Sequence, residues 1–109
     1  MNLPSPQLAP AACADALAHG AWLVDVREPH EVQRLAFDHP RCLALPLSEF
    51  QRRFAELPRD QPLVMAYAAG GRSFQAMQFL AHHGYTQVAN LAGGIGAWAA
   101  HGLPVRQGG

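Results

Sequence analysis

Apolar and polar positions change period several times along the chain, and Pro and Gly fall at most of the changes. Leu8 to Ala18 is rich in Ala and Leu and stops at His19-Gly20, which predicts a helix with a glycine terminator. Ala21 to Val26 is a short apolar run of strand formers. Pro29 can open a short helix through Leu35. Cys42 to Leu45 reads as a second strand, stopped by Pro46. Ser48 is placed to cap the next helix, whose Leu47, Phe50, Phe54 and Leu57 share one face. Glu49, Arg52, Arg53 and Glu56 occupy the other face.

The most apolar strand is Pro62 to Tyr67. It leads through Ala68-Ala69-Gly70-Gly71 into a helix from about Arg72 to His83, ended by Gly84. Phe74, Met77, Leu80 and Ala81 are its expected buried stripe. Gln87 to Leu91 is the last strand, and Gly93-Gly94 precede a helix through Trp98. Strands separated by helices require crossover connections, hence an α/β fold with a mostly parallel sheet and helices on both faces.

Composition narrows the function. Half of the 109 residues are apolar and only 15% are charged, so the chain should fold as one domain over residues 1–109. Eight basic and eight acidic residues cancel, which removes a broad electrostatic footprint for nucleic acid or anionic lipid. Every basic residue is Arg, so neither Schiff-base chemistry nor a lysine-bearing phosphate loop is available. Cys13 and Cys42 form no C-x-x-C pair, and a reducing, cytoplasmic setting suits them. No secretory leader or membrane span is expected, since the start lacks a basic and apolar pattern and the charge-free stretch after Arg72 carries histidines and glycines.

In a parallel sheet, ligands collect at the carboxyl ends of strands, which directs attention to the loop after Tyr67. Ala68, Ala69, Gly70 and Gly71 carry almost no side chain, so their amides can converge at the start of the next helix. Arg72 adds a fixed positive charge there, and Ser73 a hydroxyl. A tight turn with a solvated Arg72 would have the same composition. Asp25 and Arg27 end a strand on the same side of the sheet, as supporting groups or as an ion pair with each other.

The residues resemble the rhodanese-like sulfurtransferase family over nearly the whole chain. Leu23-Val24-Asp25-Val26-Arg27-Glu28 resembles its opening strand, with Glu31 where a second acid is frequent, and Leu45-Pro46-Leu47 resembles its I-P-L step. Gly70-Gly71-Arg72-Ser73 is similar to the end of its active loop. Asn90-Leu91-Ala92-Gly93-Gly94-Ile95-Gly96-Ala97-Trp98, then Gly102-Leu103-Pro104-Val105, resembles its tail. The resemblance implies a five-stranded, mainly parallel sheet flanked by helices. It also implies sulfur transfer by a loop cysteine in the pattern C-x-x-G-x-R-S, without cofactor or metal.

That cysteine is absent. Counting back from Arg72 by the family spacing reaches Tyr67, and a phenol with a pKa near about 10 cannot carry a persulfide. Pro62, at its usual distance from Arg72, favours this plain replacement, but a second alignment stays open: Tyr67-Ala68-Ala69-Gly70-Gly71-Arg72-Ser73 is the family string Y-C-A-A-G-G-R-S with the Cys left out. The first implies an inactive or weakly active module that binds a small sulfur-containing or other oxyanion, or a thiol or persulfide partner protein. The second implies an active sulfurtransferase with a cysteine between Tyr67 and Ala68 that the written sequence lacks. The related arsenate reductases and dual-specificity phosphatases need a thiolate and a longer loop. Cys13 and Cys42 precede no helix in this way and read as small hydrophobes. His82 and His83 are expected to meet the carbonyls ending their helix, Trp98 to pack the last helix, and His30, His39 and His101 show no ligand spacing.

Overall fold

A computed structural model describes residues 6–68 and 71–107. In chain order the elements are β1 (Gln7–Leu8), α1 (Pro10–Ala18), β2 (Trp22–Asp25), α2 (Pro29–Arg34), β3 (Ala36–Phe37), β4 (Cys42–Ala44) and α3 (Leu47–Arg53). A 3-10 turn (Phe54–Glu56), β5 (Leu63–Ala66), α4 (Gly71–His82), β6 (Val88–Leu91), α5 (Gly94–Ala100) and β7 (Val105–Arg106) follow. Five strands form one parallel sheet in the order β1-β6-β5-β2-β4. The α/β class and the parallel sheet are as expected.

Alternation along the central strands splits the core in two. Leu23, Val64, Ala66, Ala89 and Leu91 meet Cys13 and Leu17 of α1 and Ile95 and Trp98 of α5. Val24, Leu63 and Met65 turn to the opposite face, against Phe50 of α3 and Ala76, Met77 and Leu80 of α4. A parallel sheet needs this double cover, because each strand then buries both of its faces.

Several boundaries differ from the sequence reading. Leu8 belongs to β1, paired with Leu91, and the helix starts at Pro10, whose fixed φ and missing N–H suit a first helical position. Ser48 is not the cap of α3: the helix begins at Leu47 after Pro46, and the Ser48 hydroxyl donates to Glu28 instead. Ala81 is exposed, and the buried stripe of α4 is Ser73, Ala76, Met77 and Leu80, with Phe74 at its margin. Tyr67 lies just past β5, which ends at Ala66. Unforeseen was a two-stranded antiparallel ribbon, β3 with β7, pairing Ala36 with Arg106 and Phe37 with Val105. Strands of two residues carry no legible alternation.

Trp98 is fully buried, as expected of a core anchor. Its Nε1–H donates to Pro104 O at 2.8 Å, and Phe37 meets its ring edge-on at 5.3 Å. This satisfies the indole and ties the ribbon to α5.

The loop after the fifth strand and its relatives

The chain leaves β2 toward β4 and leaves β5 toward β6, which lie on opposite sides of the β2–β5 pair. The strand order therefore reverses between β2 and β5, and the crevice outside their carboxyl ends is where such sheets bind ligands. Asp25, Val26 and Arg27 flank that point from β2, and Tyr67 and Ala68 from β5. Val26 N–H donates to Ala66 O at 3.0 Å, which joins the two strand ends.

Helix α5 fixes the exit from β5. Ile95 N–H donates to Tyr67 O at 2.9 Å, and Gly96 N–H to Ala68 O at 3.4 Å. Gly94 makes this approach possible: its φ is +58°, and an added Cβ would lie 2.1 Å from Tyr67 O. Tyr67 is half-buried and packs against the core on the α3–α4 face. Arg72, in the first turn of α4, is exposed and holds its guanidinium 5.5 Å from the centroid of the Tyr67 ring. Among the described residues, no hydrogen bond or ion pair engages that guanidinium.

Ser73 faces inward. It is buried, and its Oγ donates to Asn90 Oδ1, while Asn90 Nδ2 donates to Gln7 Oε1 at 3.0 Å. The start of α4 is thereby tied across β6 to β1. Gly71 opens α4, whereas Ala69 and Gly70 lie outside the described residues.

Asp25 and Arg27 close on one another. Arg27 Nη2 donates to Asp25 Oδ2 at 2.8 Å and Nε to Oδ1 at 3.0 Å, with both side chains 3% exposed. The Arg27 N–H also donates to Oδ1, and its guanidinium lies 5.6 Å from the Phe37 ring. Among the described residues, no hydrogen bond joins this pair to Tyr67 or Arg72. The internal ion pair anticipated as one option is the arrangement found.

Glu28 braces the rim of the site. The Ser48 hydroxyl donates to its Oε1 at 2.7 Å and the Ser48 N–H to its Oε2 at 3.1 Å, linking the starts of α2 and α3. These bonds, foremost the hydroxyl's, hold the Glu28 carboxyl below its usual range, with smaller help from His30 and Arg72. A depressed folded pKa means stability that is present above the unfolded pKa and lost as pH falls through the folded one. Glu28→Gln is therefore expected to cost at most about 1 kcal/mol at neutral pH, because the group is largely in solvent. Urea unfolding between about pH 3 and pH 7 should show that difference shrinking toward the acid end. A difference independent of pH would remove the carboxylate's role.

Both cysteine thiols are pushed away from ionisation. Burial, aided by Cys42, pushes the Cys13 thiol up to about 12. Burial and then Asp25 push Cys42 up to about 12, against partial opposition from Arg27 and Arg106. Both stay protonated at neutral pH. Cys42 lines a cavity of about 440 Å³ with Asp38, His39 and Arg106, beside the β3–β7 ribbon. The cavity also takes in Asp25, at the carboxyl end of β2. His83 Nδ1 is 2.8 Å from Phe79 O, in the last turn of α4, as the sequence suggested for this histidine.

The fold and the strand-order reversal define an α/β domain whose ligand crevice lies outside the carboxyl ends of β2 and β5. The chain belongs to the rhodanese-like domain family, whose pattern matches residues 9–101. A "Sulfurtransferase" of Allochromatium vinosum is 43% identical over 83 residues, covering 76% of each chain. Thiosulfate sulfurtransferase GlpE of Actinobacillus pleuropneumoniae is 31% identical over 87 residues, covering 79% of this chain and 78% of that one. Among solved structures, a rhodanese-related protein from Thermoplasma volcanium superposes with a TM-score of 0.83 at 27% identity, covering 94% of this chain and 98% of its own. No described helix is long and apolar enough to cross a membrane.

Proposed function

We propose that this domain binds a small oxyanion, or the persulfide or thiol of a partner protein, at the loop Ala68 to Ser73, with little or no sulfur transfer of its own. The supporting observation is the exposed Arg72 guanidinium, which no described residue engages by hydrogen bond or ion pair, at the start of α4 beside the strand-order reversal. In the alignment that counts back from Arg72, the family's nucleophile position holds the Tyr67 phenol, which forms no persulfide. The two thiols elsewhere are protonated at neutral pH, and their reduced state suits the cytoplasm.

Thiosulfate or sulfate at millimolar concentration is expected to shift the amide NMR signals of Ala68 to Ser73 before others. Arg72→Ala should weaken the binding about tenfold or more, the value of about 1.5–3 kcal/mol for a hydrogen bond to a charged group. Signals unmoved in the wild type and in Tyr67→Ala would reduce the loop to a structural turn. The second reading, an active sulfurtransferase, is favoured by the loop string that lacks only its Cys, and by the names of the relatives. Intact mass separates the two: one extra cysteine residue, together with thiosulfate–cyanide turnover that survives Cys13→Ser and Cys42→Ser, would establish the enzyme.

A further inference from the structure

We propose that the cavity beside the β3–β7 ribbon binds a small zwitterion, a free α-amino acid with an apolar side chain, whose carboxylate meets Arg106 and whose ammonium meets Asp38. The inference goes beyond the anion-binding reading: among the described residues, none that lines the cavity belongs to the loop Ala68 to Ser73. Three observations carry it. The cavity, of about 440 Å³, has the size of a small-molecule site. Its wall is apolar over Val32, Ala36, Phe37 and Pro40, with Cys42 adding a protonated thiol. Asp38 and Arg106 also line it, both exposed, and among the described residues no hydrogen bond or ion pair engages either side chain.

The ribbon sets these two charges apart. Arg106 pairs with Ala36, and the Asp38 N–H donates to Pro104 O at 3.1 Å, which continues the ladder by one step. Ala36 and Asp38 are two residues apart in extended chain, so their side chains leave on the face that also carries Arg106. Asp38 and Arg106 are thus diagonal neighbours, a relation that places residues about 7–8 Å apart in an ordinary ladder. A ligand carrying both charges fits between them. The remaining polar groups do not compete for it. Asp25 reaches the cavity, but its carboxylate accepts from Arg27 at 2.8 and 3.0 Å. His39 Nδ1 accepts from the Arg41 N–H at 3.0 Å, which leaves the proton of the neutral ring on Nε2 and gives the wall a donor. A plain carboxylate would meet repulsion from Asp38, and a plain amine would meet it from Arg106. Only the zwitterion satisfies both.

The experiment is an NMR titration of the full chain with L-phenylalanine and with its two one-charge counterparts, phenylpropanoate and phenethylamine. L-phenylalanine at millimolar concentration is expected to shift the amide signals of Ala36 to Cys42 and of Val105 and Arg106. It should bind about fivefold more tightly than either counterpart, the factor expected of one partly exposed charge pair. Arg106→Gln should reduce L-phenylalanine to the affinity of the amine, and Asp38→Asn to that of the acid. Both positions are exposed, so both variants are expected to keep the wild-type Tm. Asp38→Asn should also bind phenylpropanoate at least as well as wild type does, a gain that damage to the ribbon would not produce. Equal binding of the three ligands, or affinities that neither variant moves, would overturn the zwitterion site. Ribbon amides unmoved by L-phenylalanine would overturn it as well, and in either case the response of the Arg72 loop to sulfate is a separate result.

Discussion

Tyr67→Cys is expected to convert the domain into one that accepts sulfur. Its thiolate would attack the outer sulfur of thiosulfate, forming a cysteine persulfide and expelling sulfite, with the S–S electron pair leaving on the sulfite. The site favours the thiolate for two reasons. Position 67 faces Arg72, and the first turn of α4, with amides that lack intrahelical partners, begins four residues on. Together they should bring the thiol from about 8.5 to below about 7.5. Intact mass should rise by one sulfur after thiosulfate and fall back after cyanide. Arg72→Ala in the same background should slow the uptake. Cys13→Ser and Cys42→Ser should leave it unchanged, because both thiols are protonated. If only an insertion of Cys between Tyr67 and Ala68 takes up sulfur, the omission alignment is the correct one. Failure of both variants would mean that the loop does not cradle an anionic sulfur.

The second large effect concerns stability. Asp25→Ala is expected to destabilise the fold by about 3–5 kcal/mol, since it leaves the Arg27 guanidinium buried without its partner. A domain of this size is held by only about 5–15 kcal/mol, so Tm should fall by roughly 15 °C or more. The pair need not be stabilising as such, because burying two charges costs about as much as their attraction returns. Replacing both residues together, Asp25→Leu with Arg27→Met, should therefore recover much of the loss. Thermal and urea unfolding of the three proteins decide it. A loss below about 1 kcal/mol in Asp25→Ala would show that the guanidinium finds water or another acceptor.

The order of strands and helices was legible because local chemistry writes it. Apolar runs, the prolines at positions 29 and 46, and the glycines ending helices act within a few residues of themselves. The loop motif was legible for the same reason: small residues followed by Arg72 form a local string. β1 and the β3–β7 ribbon were not legible, because strands of two residues are set by their partners, Asn90 and Leu91 in one case and Val105 and Arg106 in the other. Ser48 had the chemistry of a cap, yet its hydroxyl went to Glu28, twenty residues earlier in the chain. Ala81 had the right residue type for the stripe of α4 but the wrong angle around the helix.

Tertiary structure alone decided what the candidate residues do to one another. Sequence could name Asp25, Arg27, Tyr67, Arg72 and Ser73 as one constellation, but it could not say who faces whom. The strand order brought β2 beside β5 and put the reversal at their ends. Alternation along those strands then separated the groups by face and register. Asp25 and Arg27 satisfied each other, Ser73 turned inward to Asn90, and Arg72 was left over the ring of Tyr67. Residue type fixes which interactions a side chain can make, and only the packing of non-adjacent strands and helices fixes which partner comes within reach.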